Sequence, residues 1–452
     1  MPDEFKRILP ELIKKLYRQN RLSALKWFYE CLRRIFKRRL NLFFCSPQKA
    51  LKDASDIQVN QNKLLKLKSI ISEADPAYSI SVHENVIAYP LVSAPRNNRP
   101  GSYFFGGLAN NQTQTLLDEA NHYNGAAYAQ SLPITYIKKW PLQNCLEINE
   151  PVLYGGLMFN HFGHFVVESL CRLYAYPIVK EFDPFVLFYT PWNQPRYLEK
   201  DNFVHQIISG FEIPIKRLIL VEQTTKIREV IIPEQKYGFG FAQQPDELFV
   251  NFTRSFRFER KFPNGMKGTE KIYISRSRLQ NRGRLIGEKI FEKYLIEEGY
   301  SIFSPEEHTF YEQLTLYSYA KKIIFSDGSS LLPCIFLSDL KADVAVVCRR
   351  HEPNQHMSST AVCLQGYYKN FLWIDAVSEQ YQFGLDNWNA LADIDWHKAS
   401  EFLLEHGFVN KPFRIMSDEE HLALVRLELK DYIRKISGNS QFVDYMMSLK
   451  EK

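Results

Sequence analysis

Long apolar runs are missing from this 452-residue chain. None approaches the roughly 18 to 20 residues that a membrane-spanning helix needs, so no span is predicted. An N-terminal secretory core is missing too, because acids and lysines stand where its apolar stretch would be, and the expected location is cytoplasmic. The seven cysteines, at 31, 45, 145, 171, 334, 348 and 363, are odd in number, widely spaced and free of any C-x-x-C pair. That pattern excludes a disulfide framework and a zinc knuckle, and it points to a reducing compartment. Neither G-x-x-x-x-G-K-[ST] nor G-x-G-x-x-G occurs, so P-loop ATPase and dinucleotide readings lack their fingerprints. No H-E-x-x-H is present, and His161 with His164 at spacing three has no evident third ligand; neither a metal nor a cofactor is expected.

What the chain does hold is apolar bulk and a lopsided charge. With 45% hydrophobic and 14% aromatic residues it can bury sizeable cores, and its length suggests two or three domains. The net charge of +6 comes from one end: residues 1–45 carry 12 Lys/Arg against 4 Asp/Glu, leaving about −2 for the remainder. Apolar residues recur there near helical spacing (Leu9, Leu12, Leu16, then Leu25, Phe28, Leu32, Ile35) among Arg33, Arg34, Lys37, Arg38 and Arg39. One or two basic amphipathic helices are predicted, lying on an anionic membrane surface or packed on the main body or on a second copy of the chain.

Four regions follow from composition: 1–45, the basic helices; 46–261, an α/β region; 262–375, a second α/β region; and 376–452, a helical end. The boundary near 262–270 rests on FPNGMKGTE, with its proline, asparagine and two glycines. In the first α/β region, LEINEPVLYGG reads as a strand ending at Gly155 and Gly156, and a helix is predicted from near Phe162. That helix would set His164, Glu168 and Arg172 four apart on one face. Such a stripe is either a solvated ion-pair ladder or the wall of a cleft, and the glycine and two histidines at its start favour the cleft. The segment 248–262 also reads as helical.

The second region reads as strand 271–275, basic loop 276–284, helix 285–298, strand 300–304, helix 309–320, strand 322–326, the turn Asp327-Gly328-Ser329-Ser330, a short helix and strand 343–348. Right-handed crossovers make the sheet parallel, with ligands at its carboxyl ends. Ser275, Arg276, Arg278 and Arg282 leave one strand there, and the 327–330 turn leaves another. Arginine grips phosphate by paired charge-assisted bonds, and small residues at a helix start let backbone N–H groups approach an anion. A sugar nucleotide suits this arrangement, since the same groups stabilise a departing diphosphate. The attacking hydroxyl must lose a proton to a carboxylate or histidine, and Glu168 is the candidate base.

These residues resemble a known family. HFGHFVVESLCRL is similar to the N-x-G-H-[FW]-x-x-[DE]-x-x-x-R-L segment of glycosyltransferase family 61, with Glu168 at the acidic position and Arg172 at the arginine. The stretch from YISRSRLQNRGR through SDGSSLLP is similar to its I-S-R…N-R…P-E…E-Q segment and the G-P-H-G-A-G-L turn that follows. The resemblance covers roughly residues 150–350. It implies a GT-B architecture, two Rossmann-like domains facing a cleft, with inversion at the anomeric carbon and no obligatory metal. Donor nucleotide would sit near Ser275, Arg276, Arg278, Arg282, Glu307 and the turn Asp327, Gly328, Ser329, Ser330, with Glu307 reaching a ribose hydroxyl. Glu168, His164 and His161 would face it. Three departures stand out: His161 replaces asparagine, Asp327 replaces the turn's histidine, and Ser329 and Ser330 replace small apolar residues.

The resulting expectation is an inverting glycosyltransferase of bacterial capsular or other surface-polysaccharide assembly, peripheral at the cytoplasmic membrane face, using a nucleotide-sugar donor and a glycan or lipid-linked acceptor. Asp327 and Ser330 keep open a catalytically degenerate member that binds glycan or scaffolds an assembly. Nucleic-acid binding is not expected, because the chain beyond residue 45 is near neutral and carries no groove-reading motif.

Overall fold

The computed structural model describes residues 65–93, 104–123, 145–191, 196–240, 244–279, 282–350, 357–381 and 389–437, all within one compact unit, Lys63–Lys452. The basic stretch 1–45, with the helices expected of it, lies outside the described residues. Among those described, no helix is long and apolar enough to cross a membrane.

The β-branched and aromatic runs of the first region become a seven-stranded mixed sheet. Its strands are β1 (Ile80–Ser93), β2 (Phe104–Asn110), β3 (Leu146–Ile148), β4 (Val152–Leu157), β5 (Phe185–Tyr189), β6 (Leu218–Leu220) and β7 (Thr225–Pro233). The order is β2-β1-β7-β4-β5-β6, with β3 also on β7. The β7-β4-β5-β6 half is parallel, but β1 runs antiparallel to both β2 and β7. The first sheet is therefore mixed rather than wholly parallel. The glycine pair at 155–156 does not end β4. It makes a bulge, where Gly156 at φ +91° shifts the register and the strand resumes through Leu157.

The second sheet is fully parallel, as the alternation of strand and helix lengths predicts. It contains β8 (Lys271–Ile274), β9 (Ser301–Phe303), β10 (Lys322–Ser326), β11 (Asp343–Val347) and β12 (Leu372–Ile374), in the order β12-β11-β10-β8-β9. From β8 the chain steps outward to β9, then crosses back over to β10 and continues to β11 and β12 on the other side. That reversal opens a crevice between the carboxyl ends of β8 and β10, because the connections on its two sides leave in opposite directions. Arg276 leaves β8 at this crevice, and Gly328 leaves β10.

A single hydrophobic core joins the facing layers: Leu153 and Phe188 of the first sheet, Ile272, Phe325 and Val346 of the second, and Phe165, Phe310 and Phe336 between them. Each such side chain, fully buried, contributes about 1.5–3 kcal/mol. Helix Glu247–Arg254, capped by the Asp246 side chain, stops at Ser255 rather than running to 262, and Phe256 packs its ring on Phe336 at 4.9 Å. On the far face of the second sheet, Trp396 stacks on Phe291 at 4.2 Å. Helices Trp396–Glu405 and Asp418–Ser437 close that face, the latter entered through the Ser417/Glu420 capping box.

Candidate active site

Beyond β4 the chain does not form the single helix expected from Phe162. One turn of α-helix, Phe162–His164, widens into a π-helical segment, Phe165–Ser169, and after Leu170 a 3-10 turn follows at Leu173–Ala175. The widening breaks the four-residue stripe. His164 and Glu168 still meet, Nδ1 against Oε2, but Arg172 turns elsewhere and donates to the backbone carbonyls of Pro233 and Asn121. Insertions of this kind re-aim side chains and recur at functional sites.

Glu168 is 0% exposed, so it is not placed to touch an acceptor directly. Its second oxygen is held by a residue that sequence reading missed: His122, 2% exposed, whose Nε2 lies 3.2 Å from Oε1. Burial alone pushes this carboxyl's pKa up, yet the hydrogen bonds and charges of His122 and His164 outweigh it and hold the group down at about 2. The carboxylate is thus an ionised anchor between two imidazoles. His164, 30% exposed at its side chain, is the member that faces outward. It is boxed by His161, Phe159 and Phe239, with ring centroids at 5.1, 5.3 and 5.3 Å. His161 is pushed down to about 4 by burial and by the charges of His164, Arg282 and Arg276, and its Nδ1 is buried without a hydrogen-bond partner. It is neutral at physiological pH.

Across the crevice, Arg276 donates Nε and Nη2 to the Gly283 carbonyl, at 3.2 and 3.0 Å. Its other edge lies on Gly328: a Cβ built there would meet Nη1 at 2.2 Å. Glycine is required by that approach. Gly328 opens the turn Ser329–Phe336 with no side-chain cap, so the first N–H groups of the turn have no side chain of its N-cap laid over them. The two halves touch here, since a Cβ on Gly163 would stand 3.2 Å from that of Ser329. Ser330 Oγ, like His161 Nδ1, is buried and unpartnered.

Several expected donor contacts are corrected by the structure. Ser275 is 1% exposed and turns inward, its hydroxyl donating to Glu292 and lying 3.2 Å from Ser277 Oγ. Arg278 and Glu307 pair with each other at the exposed rim. Arg282 is exposed, close enough to His161 for its charge to act there. Asp327, the residue least compatible with a diphosphate, is fully buried, with Oδ2 lacking a hydrogen-bond partner and its charge acting on Arg276. Its Oδ1 accepts from Ser358 Oγ at 2.6 Å and Thr360 Oγ1 at 3.2 Å, fastening helix Ser359–Gln365 to the end of β10. Glu288, also buried and also unanticipated, accepts from the Arg276 backbone N–H and from Tyr273 Oη, both at 2.9 Å, and so fixes where Arg276 leaves β8. No local pattern marks His122 or Glu288, since each bonds across a long loop or between elements.

A D-x-D pair, the common diphosphate–metal motif, does occur and escaped the sequence reading: Asp393-Ile394-Asp395 at the end of strand Leu391–Ile394. It is not built as a metal site. Asp393 faces His421, with Oδ2 to Nε2 at 2.9 Å, whereas Asp395 caps helix Trp396–Glu405 by accepting from Lys398 N at 2.9 Å. Among the described residues no group of three or more His, Cys, Asp or Glu is placed to hold a metal ion.

Residues 162–347 match the Glycosyltransferase 61 family model, which spans the His164–Glu168 segment and both strand ends of the crevice. The match supports glycosyl transfer as the general chemistry. No curated protein sequence matches the chain. Among solved structures, the chain is similar to the bacterial iron-containing dodecameric glycosyltransferase TibC from enterotoxigenic E. coli H10407, at 11% identity over 59% of this chain and 73% of that one, with a TM-score of 0.22.

Proposed function

We propose that the protein is an inverting, metal-independent glycosyltransferase that moves a sugar from a nucleotide donor to a hydroxyl of a glycan or lipid-linked acceptor. One observation carries the reading: the switch-point crevice, with Arg276 laid on Gly328, abuts the segment that presents His161 and His164. In this reading the donor diphosphate lies between the Nη1 edge of Arg276, Arg282 and the start of the turn Ser329–Phe336. Fixed positive charge and backbone N–H groups there offset the charge that grows as the anomeric carbon–oxygen bond breaks, the part a metal ion plays elsewhere.

His164 is the base. Glu168 accepts its Nδ1–H, which leaves the lone pair on Nε2 to take the acceptor's proton, the same orienting logic as in a carboxylate–histidine–nucleophile triad. A single displacement from the face opposite the leaving diphosphate inverts the anomeric carbon. Glu168 thus acts through His164, and neutral His161 helps position the acceptor hydroxyl. The two-domain GT-B description is the architecture we infer, with the first sheet as its acceptor side. We place the enzyme at the cytoplasmic face of a membrane in surface-polysaccharide assembly, held by the net positive charge of residues 1–45. Deleting those residues is expected to release it from anionic vesicles in a sedimentation assay, and unchanged co-sedimentation rules that role out.

The catalytic reading is tested by incubating the full chain with a panel of nucleotide sugars and candidate acceptors, following release of nucleoside diphosphate. Turnover of at least one donor without added divalent metal is expected. No turnover and no binding of any donor overturns it.

A further inference from the structure

The residue that the transfer chemistry leaves unexplained is His122. It reaches Glu168 from 46 positions away, is almost wholly buried, and its Nδ1 has no hydrogen-bond partner. A ring placed only to fill space would be apolar, because an orphaned buried nitrogen carries a desolvation cost. Its backbone is fastened from both sides. Arg172 Nη2 donates to the Asn121 carbonyl at 2.6 Å. Buried Gln235 both accepts from Tyr123 N and donates to Tyr123 O, each at 2.8 Å. Two buried polar side chains therefore hold a three-residue segment whose middle member makes one polar contact, with the Glu168 carboxylate.

We propose that His122 is a positioning residue of the transfer reaction: it donates Nε2–H to Oε1 of Glu168, so that Oε2 stays ionised, takes the Nδ1–H of His164 and keeps His164 Nε2 unprotonated as the proton acceptor. The inference rests on the reading of His164 as base. Its physical content is a balance. Burial drives Glu168 toward the neutral form, and the hydrogen bond from His164 alone meets only one of its oxygens. Without a second donor the His164–Glu168 pair takes up a proton at a higher pH, and a protonated pair has no base to offer, whichever member carries the proton. The titratable neighbours of the pair are His122 from segment 121–123, His161 one turn before it, Cys171 after it and Cys363 from helix Ser359–Gln365, while Arg276 and Arg282 act on His161. Of these, His122 alone donates to Oε1 among the described contacts.

The test compares wild type, His122→Phe and His122→Gln as full-length protein labelled with ¹⁵N-histidine. The His164 titration is read by NMR, and kcat and the donor KM are followed against pH. In His122→Phe proton uptake by the His164–Glu168 pair is expected to move up by more than about 0.3 pH unit, because the carboxylate loses one of its two imidazole donors. The acid limb of kcat should move with it while KM stays unchanged. His122→Gln keeps an N–H donor and is expected to restore most of the shift. A folded His122→Phe whose midpoint and acid limb stay within about 0.3 unit of wild type overturns the proposal, since simple loss of packing lowers kcat without moving the limb. Wild type supplies a check that needs no variant: its spectrum should show the His122 proton on Nε2, and a bare Nε2 overturns the proposal even where the Phe variant does not fold. The NMR arm uses no substrate, so absence of transfer activity in wild type refutes the functional reading while the His122 result is still read separately.

Discussion

Replacing Glu168 by glutamine removes one charge and almost no volume, and it separates orientation from occupancy. The native carboxylate accepts from two imidazoles at once, His122 at Oε1 and His164 at Oε2. A glutamine has one accepting oxygen and one donating NH₂. If its oxygen stays with His122, its NH₂ faces His164 Nδ1, which must then be the bare nitrogen, and the ring proton moves to Nε2. The base is present but in the wrong tautomer. Positioned general-base catalysis is worth about 10²–10⁴ in rate, so kcat is expected to fall by that factor, a loss of about 3–5.5 kcal/mol of transition-state stabilisation. The donor dissociation constant should be unchanged, because the proposed diphosphate site lies on the other wall.

The same substitution has a stability signature. Glu168 is held at about 2, below its unfolded value near 4.5, so its contribution is complete above pH 4.5 and is lost as pH falls toward 2. That shift corresponds to about 3 kcal/mol, and the variant should be less stable than wild type at pH 7 by an amount that shrinks on acidification. Initial rates of nucleoside diphosphate release, donor calorimetry and melting curves at pH 3–7 measure all three. A Glu168→Gln enzyme within tenfold of the wild-type kcat refutes the orienting role.

Gly328→Ala places a methyl carbon on Arg276 Nη1 and displaces the guanidinium; donor affinity measured by calorimetry is expected to drop about 10- to 100-fold, as in Arg276→Ala, and full affinity in both variants removes the diphosphate site. Asp327→Ala strips two hydroxyl donors of their buried acceptor and is expected to lower stability by about 2–4 kcal/mol, read from denaturant midpoints; a neutral effect with lost donor binding would return Asp327 to the ligand site. Glu288 is raised to about 7 by burial, against the hydrogen bonds of Arg276 and Tyr273. Its folded value lies above the unfolded one, so its contribution is present below pH 4.5 and is lost as pH rises through 7. Glu288→Gln, whose oxygen can accept from both donors, should therefore be more stable than wild type at pH 8 by about 1–3 kcal/mol and equal to it at pH 4; no pH-dependent gain in melting temperature contradicts this.

Much of the second sheet was legible in advance because its information is local. Apolar runs of strand length, helix-length patterns and the small residues at 327–330 are read within a dozen positions, and the parallel order follows from crossover handedness. The first sheet was less legible. β1 pairs antiparallel with two neighbours, and the glycine pair that looks like a strand end is a bulge at Gly156, whose φ of +91° lets the strand resume through Leu157.

The chain's own order of residues places His, Glu, Arg and Gly close together at 161–172 and at two strand ends, which is what local spacing can fix. Tertiary structure alone decided which of them stay outward and which are buried. Periodicity assigns a side chain to a face, but whether that face meets solvent, another sheet or a distant segment depends on long-range packing. Hence Glu168 became a buried anchor, with His164 as the outward member. Asp327 became buried, with Oδ1 accepting from Ser358 and Thr360. His122, 46 residues from its partner, entered the site with no signal that any window of sequence could carry.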